Sequence, residues 1–260
     1  MQNFDLAVCS LASGSRGNAT YISDGNTAIL IDAGLSGIEL ERRMISKGLS
    51  PENLNAIIVS HEHKDHIESA GILSRRYNLP IYTSSKTCKA IGTRLGKVFE
   101  YKSFECGSGF NINDLHIHPF SVSHDAHDTS GFTVCRNGSK FGIATDLGIV
   151  TAVVKEHLKG CQMLILEANH DVPMLMNGPY PWYLKQRVKG RTGHLSNEES
   201  GCLLKELAHE KLSHVILAHL SEKNNTPEKA LSAVGMSMNG YKAQLLVARQ
   251  DMPLDMVYIR

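Results

Sequence analysis

Ligand-type side chains are concentrated in one short stretch of the sequence, VSHEHKDHI, residues 59–67. His61, His63, Asp65 and His66 follow there directly on the apolar run AIIV. Imidazole and carboxylate groups bind Zn, Mn or Fe, and no cysteine lies nearby to make a thiolate site. A polar loop at the end of a buried strand is where α/β proteins place their chemistry. The pattern predicts a metal site; a solvated turn that is rich in histidine is the alternative.

One cluster of this kind cannot complete a centre for two metal ions, so further ligands are expected from other strand ends. Three candidates each come just after an apolar β run: His124 after FSVS, Asp146 after FGIAT and His219 after VILA. We therefore predict that these three side chains join the cluster.

Other histidines are weaker candidates. His116 and His118 alternate in LHIHPF and share one strand face, so they form either a ligand pair or, as we favour, an ordinary strand face. His127 lies three residues after His124 and is an alternative to it. Three more are predicted to lie on the surface: His157, His209 and His214.

Bulk composition restricts the function classes. The 260 residues include 27 basic and 26 acidic side chains, a net charge of +1, so nucleic acid could be bound only by a local basic patch. The six cysteines contain no CxxC pair and are predicted to be isolated, mostly buried thiols in a reducing compartment. Because the N-terminus lacks a basic leader and no long apolar run occurs, we predict a cytoplasmic protein without a membrane span.

Short apolar runs alternate with helical patterns along the chain. Strands are predicted over 4–11, 19–23, 27–34, 55–60, 80–83, 115–123, 131–136, 140–146, 161–169, 214–219, 243–249 and 254–259. Helices are predicted over 37–47, 68–77, 86–95, 149–158, 179–188, 196–209 and 226–238, with Ser196 and Thr226 as N-caps. No linker divides the chain. The expected fold class is α/β (α+β), one domain over residues 1–260 with two sheets and helices outside them.

The motif HEHKDH, with the three later candidates, resembles the metallo-β-lactamase superfamily over essentially the whole chain. The resemblance implies a four-layer αββα sandwich and two divalent metal ions per chain, Zn or Mn, with Fe possible. It also implies the ligands: His61, His63 and His124 for one ion, Asp65, His66 and His219 for the other, and Asp146 as a bridge.

Fold does not fix the reaction, because this superfamily hydrolyses lactams, thioesters, lactones and phosphodiesters. The carboxylate at Asp146 argues against true β-lactamases, which typically replace the bridging residue. The stretch TGHLSNEES, residues 192–200, resembles the histidine motif of the superfamily's nucleases such as RNase Z. His194 occupies the histidine position; the alternative is a histidine that merely precedes a capped helix.

Two departures narrow the resemblance. The 21 residues between His124 and Asp146 are too few for the tRNA-gripping arm of RNase Z. The 47 residues between Asp146 and His194 are too few for the inserted domain of the β-CASP nucleases. The small YycJ/VicX-like group is closer, and it implies a 5′→3′ exonuclease-like activity on DNA. Its shared segments lie at residues 10–22, 123–126, 168–171 and 180–197.

The expected mechanism is phosphodiester hydrolysis assisted by two metal ions. Asp65 is expected to orient the attacking hydroxide as well as to serve as a ligand. His194, free of ligand duty, is expected to be the general acid, oriented by either Glu167 or His170. Two rival functions stay open: a thioester or lactone hydrolase of the glyoxalase II type, and a catalytically silent metal-binding module.

A basic segment lies just upstream of His194, in LKQRVKGRTGH. Its charges could hold a nucleic-acid backbone, or form an ordinary solvated face; they are Lys185, Arg187, Lys189 and Arg191. The loop SGSRGN, residues 13–18, either offers backbone N–H groups to a phosphate or is a plain hairpin turn. The partner is expected to be nucleic acid, DNA rather than RNA, while the metal and the oligomeric state stay open.

Overall fold

Fourteen strands form two sheets in the computed structural model, which describes residues 4–238 and 240–260. The first sheet contains β1 (Leu6–Ala12), β2 (Ala19–Ser23), β3 (Ala28–Ile31), β4 (Ala56–Ile58), β5 (Pro80–Ser84), β6 (Glu100–Phe104) and β14 (Val257–Ile259). The second contains β7 (Phe110–Ile112), β8 (Leu115–Ser121), β9 (Ser130–Arg136), β10 (Ser139–Ala144), β11 (Met163–Glu167), β12 (His214–Ala218) and β13 (Gln244–Val247). The strand orders are β14-β1-β2-β3-β4-β5-β6 and β13-β12-β11-β10-β9-β8-β7.

Helices cover the outer faces of both sheets. They are α1 (Gly37–Ser46), α2 (Lys64–Ile67), α3 (Ala70–Tyr77), α4 (Ser85–Ile91), α5 (Ala152–Leu158), α6 (Val172–Asn177), α7 (Trp182–Lys189), α8 (Asn197–Leu207) and α9 (Pro227–Ser237), with a short 3₁₀ turn at Pro51–Asn53. Alternation along each strand divides the core into three layers. In β4, for example, Ala56 and Ile58 belong to the core between the sheets, while Ile57 packs outward with Leu40 and Met44 of α1. The predicted αββα sandwich is confirmed.

Most predicted elements are present, and the misses have physical causes. The strands β6 and β7 were not predicted because both lie at sheet edges, where four of the five β6 residues are exposed and the apolar alternation is lost. The helix predicted over 68–77 is α3, while the short helices α2 and α6 were not predicted, although Asp171 caps α6. The N-caps Ser196 and Thr226 are confirmed, the former within a complete capping box.

Parallel pairing brings several strand ends to one edge of the sandwich. β3 pairs in parallel with β4, and β10, β11 and β12 run parallel to one another. Three residues directly beyond these strands adopt the left-handed backbone conformation, with φ values of 61°, 54° and 57° for Asp32, Asp146 and His219. Such a conformation costs a non-glycine residue about 1–3 kcal/mol and, apart from asparagines in turns and at helix ends, clusters at functional sites. It turns the chain sharply at the point where each side chain enters the site.

The predictions made for the cysteines can be compared with the structure. All six cysteines are free, as predicted, but the prediction that most are buried is wrong: only Cys9 and Cys161 are. Burial raises the pKa of both thiols to about 12, so they stay protonated.

Within residues 4–238 and 240–260, no helix is long and apolar enough to cross a membrane. The connection from β8 to β9 is only residues 122–129, which agrees with the expected lack of a protruding arm.

Candidate metal centre

The first ligand group is His61, His63 and His124, and each of these offers a ring nitrogen within 4.8 Å of the others. His61 and His63 enter from the loop after β4, and His124 enters from the loop after β8. The ring centroids lie 4.6 to 5.2 Å apart. Burial lowers the pKa of His61 and His124, so both are neutral imidazoles at neutral pH, which is the form that binds a metal.

The second ligand group is Asp65, His66 and His219. The Nε2 atoms of His66 and His219 lie 3.5 and 3.9 Å from Oδ2 of Asp65. Ligand atoms about 2.0–2.2 Å from one tetrahedral ion lie about 3.3–3.6 Å from each other. These spacings are therefore longer than good hydrogen bonds and close to those of a coordination shell.

Asp146 lies between the two groups. Its Oδ1 is 3.7 Å from His124 Nε2 and 3.6 Å from His219 Nε2, and its Oδ2 is 3.3 Å from His66 Nε2. Among the described residues, three buried atoms of this cluster have no hydrogen-bond partner: Asp146 Oδ2, His61 Nε2 and His219 Nε2. An unpaired buried polar atom costs free energy, and divalent ions would satisfy all three. The residues therefore fit divalent metal ions.

A layer of hydrogen bonds fixes the ligand imidazoles from behind. Asp32 Oδ2 accepts from His66 Nδ1 at 2.7 Å and from Ser60 Oγ at 2.9 Å. Ser60 Oγ in turn accepts from His61 Nδ1 at 3.0 Å. Binding Nδ1 in this way leaves Nε2 of each ring directed at the cluster. Sequence reasoning missed Asp32, although it follows the apolar run AILI much as Asp146 follows FGIAT.

Glu167, at the end of β11, is the corresponding anchor in the second sheet. Its Oε1 accepts from His194 Nδ1 at 2.8 Å and from His219 Nδ1 at 2.9 Å. Its Oε2 accepts from the backbone N–H groups of Leu147 and Leu195 at 2.7 and 3.3 Å. Burial alone would raise the pKa of this carboxyl, but the two histidines bring it to about 2. Glu167 is therefore an ionised carboxylate with every partner donating to it.

His194 stands beside the ligand cluster. Its ring centroid is 5.2 Å from that of His124 and 5.1 Å from that of His219, and its side chain keeps 21% of its exposure. Burial lowers its pKa, but the Glu167 carboxylate outweighs burial and the pKa is raised. Gly193 is required before it, because a Cβ there would lie 2.2 Å from the Arg187 carbonyl oxygen. His194 Nδ1 is at hydrogen-bond distance from Glu167, so its Nε2 is the atom available to a substrate.

His170 is 1% exposed, and neither ring nitrogen has a hydrogen-bond partner in the described part of the chain. Its backbone carbonyl accepts from Asn197 N, which ties the end of β11 to the start of α8. Of the two residues considered for orienting His194, Glu167 is the one that makes direct contact.

The alternative histidines lie elsewhere. His127 donates to Glu62 at 2.6 Å, and its side chain is 71% exposed. On β8, His116 pairs with Asn111. The ring of His118 lies 4.7 Å from that of His157. None of them belongs to a ligand group that includes His61 or Asp146.

The loop 13–18 is a hairpin connection between β1 and β2. The phosphate-cradle alternative is wrong, because its N–H groups are used internally: Gly14 N donates to Asn18 and Arg16 N donates to Gln250. Asn18 Nδ2 lies 3.2 Å from Asp65 Oδ2, so the loop positions a candidate ligand instead.

The four basic residues lie on or just after α7, which leads toward His194. Arg187 Nε donates to Asp125 Oδ2 at 2.6 Å, so its charge is partly neutralised. Lys185 Nζ donates to the Met176 carbonyl at 2.8 Å. Lys189 and Arg191 are exposed. The structure thus places the basic segment at the rim of the centre, with two charges facing solvent.

Comparison with known proteins identifies the family of the chain. The family model of the Beta-lactamase superfamily domain matches residues 27–220. The chain is 36% identical to the exodeoxyribonuclease YycJ of Bacillus anthracis over 86% of each chain. It is 37% identical to the exodeoxyribonuclease WalJ of Streptococcus pneumoniae over 85% of this chain and 83% of that protein. The metallo-β-lactamase fold protein YhfI of Bacillus subtilis superposes with a TM-score of 0.73 at 16% identity, covering 96% of this chain and 98% of YhfI.

The YhfI match shows the fold alone, whereas the family match and the two sequence relatives cover most of the chain. The chain therefore belongs to the metallo-β-lactamase superfamily, in the family of the YycJ and WalJ proteins.

Proposed function

We propose that this protein is a metal-dependent exodeoxyribonuclease that removes nucleotides from the 5′ end of DNA. The observation that carries the proposal is the Glu167–His194 pair, with 2.8 Å between carboxylate oxygen and Nδ1, placed beside the ligand cluster. Phosphodiester cleavage expels an alkoxide that needs a proton, so an acid next to the metal ligands suits this reaction. The relatives at 36% and 37% identity are exodeoxyribonucleases, which supports the same activity.

Two divalent ions, Zn or Mn with Fe as a third option, would be held by the two histidine-rich groups and shared through Asp146. When bound, they supply Lewis acidity and a water of lowered pKa. Asp65, positioned by Asn18, orients the attacking water. On this proposal the ligands themselves donate no proton to the substrate.

His194 supplies that proton. Glu167 holds Nδ1, so the opposite nitrogen, Nε2, carries the proton toward the leaving oxygen. The ionised Glu167 also favours the protonated imidazole that an acid must be before the step. The other five histidines of the centre are committed as ligands on this proposal, and His194 is left for proton transfer.

The test is a substrate panel: DNA and RNA strands labelled at either end, with Mn or Zn added to metal-depleted protein, beside a thioester. We expect single labelled nucleotides released from the 5′ end of DNA, with little thioester cleavage. Fast thioester cleavage without any cut strand would contradict the proposal in favour of a glyoxalase II-type hydrolase. Metal binding without either reaction would indicate a silent module.

A further inference from the structure

Helix α7 carries two large aromatic side chains on the surface. Trp182 is 65% exposed and Tyr183 is 74% exposed. The helix has eight residues and none of them is fully buried, although Leu184 and Val188 are half-buried. An isolated helix of this length is marginal in water, and Trp is highly buried on average. Contacts that include the Lys185–Met176 and Arg187–Asp125 hydrogen bonds hold the helix in place. Exposing two aromatic rings on it costs free energy, because their apolar surface stays in water.

Helical periodicity relates the aromatic residues to the basic ones. Tyr183 and Arg187 are four residues apart and share one face, and Trp182 shares a face with Lys189. No acidic residue occurs between Tyr180 and His194, while four basic residues do. Aromatic rings interleaved with cations are suited to a strand with stacked bases and a charged backbone.

The exposed aromatic and basic side chains of α7 lie on a helix that contacts the candidate centre. Arg187 pairs with Asp125, whose Oδ1 lies 3.2 Å from Nε2 of the candidate ligand His124. The backbone N–H of His194 donates to the Val188 carbonyl at 2.8 Å. Trp182 lies about 7.5 Å along the helix axis from Arg187 at 1.5 Å per residue. Tyr183 lies one helical turn before Arg187 on the same face, so its ring is beside the contact that joins α7 to His124.

We propose that Trp182 and Tyr183 form a stacking platform that binds the bases of single-stranded DNA next to the bond being cut; this rests on the proposed nuclease function. The platform holds unpaired bases, and Lys189 and Arg191 hold the phosphates. In duplex DNA the bases are already stacked and their faces are unavailable. The platform therefore selects single strands, or frayed ends, over intact duplexes.

Trp182 is the single tryptophan of the chain, so its fluorescence reports on this surface alone. The probe is a phosphorothioate-linked oligothymidylate, which resists cleavage, added to the metal-loaded protein. We expect saturable quenching of the tryptophan emission by the single strand and much less by a duplex of equal length. Because no turnover is needed, the platform and the nuclease activity succeed or fail separately.

Variants extend the test through the anisotropy of a labelled oligothymidylate. We expect Trp182→Ala to raise the Kd roughly 5- to 100-fold, as for loss of one base–aromatic stack, and Trp182→Phe to raise it only about twofold. Phe99→Ala is the matched control, since Phe99 is 56% exposed and lies before β6 at the edge of the first sheet. Metal content, measured in parallel, should not change.

Three results would overturn the platform. One is absence of quenching, or an unchanged Kd for Trp182→Ala. Another is tighter binding of oligouridylate than of oligothymidylate, which would make RNA the occupant. The third is loss of self-association in Trp182→Ala with unchanged DNA binding, which would make the face a contact between copies of the chain.

Discussion

On the proposed function, the candidate metal centre and helix α7 would act on one substrate in opposite ways. In the centre, Asp32 and Glu167 are buried and hold ligand imidazoles through Nδ1. In α7, no residue is buried and the aromatic and basic side chains face solvent. Chemistry needs ligands fixed to within about 0.5 Å, which buried hydrogen bonds provide. Binding a flexible polyanion needs charge and ring faces, which an exposed helix provides.

This difference predicts two kinds of damage. Substitutions in the centre should lower kcat or metal content, whereas substitutions on α7 should raise KM and change the salt dependence.

The largest effect is expected for Asp146→Ala. Asp146 lies 3.3–3.7 Å from ligand atoms of both groups, so its loss affects both ions. We expect metal content to fall from two per chain and DNA cleavage to drop about 10⁴-fold or more. Elemental analysis beside a cleavage assay measures both. A stoichiometry of one in the wild type, unaffected by the substitution, would remove the bridging role.

The second largest effect is expected for His194→Ala. We expect the rate of DNA cleavage to fall about 10²- to 10⁴-fold, which is the range for loss of a general acid. Both ions should stay bound. An activated aryl phosphodiester, whose leaving group needs no proton, should be cut nearly as fast as by the wild type. Loss of metal would make His194 a ligand, and equal damage to both substrates would make it a positioning residue.

Glu167→Gln should cost about 10- to 100-fold, as is typical for a residue that orients ligands. All four partners of Glu167 donate, so an amide NH₂ would face a donor whichever way it turned. We expect kcat to decrease. We also expect the protein to hold its metal less tightly, because Glu167 orients the candidate ligand His219. His127→Ala, which removes an exposed imidazole outside the cluster, is the control. Wild-type rates in Glu167→Gln would show that the anchor is dispensable.

The smallest effect is expected on α7. Lys189→Ala should raise KM a few-fold and reduce the salt slope of binding by about 0.7, the value for one phosphate contact on a single strand. Arg187 is a poorer test because Asp125 already pairs with it. Lys205→Ala on α8, also exposed, is the control. An unchanged slope for Lys189→Ala would remove α7 from the binding surface.

The structure brings the ligand candidates of the sequence together, and the reason they can be located in the sequence is physical. Each follows an apolar strand, and adjacent parallel strands bring their ends to one edge, so local patterns suffice to place Asp146 and His219. Asp32 and Glu167, which hold the imidazoles of the candidate ligands, cannot be located from local patterns alone. The hydrogen bond between Asp32 and His66 spans 34 residues and depends on the register of β3 against β4.

Local patterns were least informative where side chains face solvent. The edge strand β6 has almost no apolar alternation, so its sequence does not indicate a strand. On α7, periodicity indicates a helix but not which face stays uncovered, so the exposure of Trp182 and Tyr183 required the structure. The pairing of Arg187 with Asp125 also lay outside the sequence pattern.

One measurement tests the central claim most directly: titration of Mn, and separately Zn, into metal-depleted protein while labelled nucleotides released from single-stranded DNA are followed. The proposed two-ion centre, with Asp146 between the two candidate ligand groups, predicts that cleavage rises with the second equivalent of metal per chain. Cleavage that is complete after one equivalent would contradict the two-ion centre. Absence of DNA cleavage at every stoichiometry, with both ions bound, would contradict the nuclease itself.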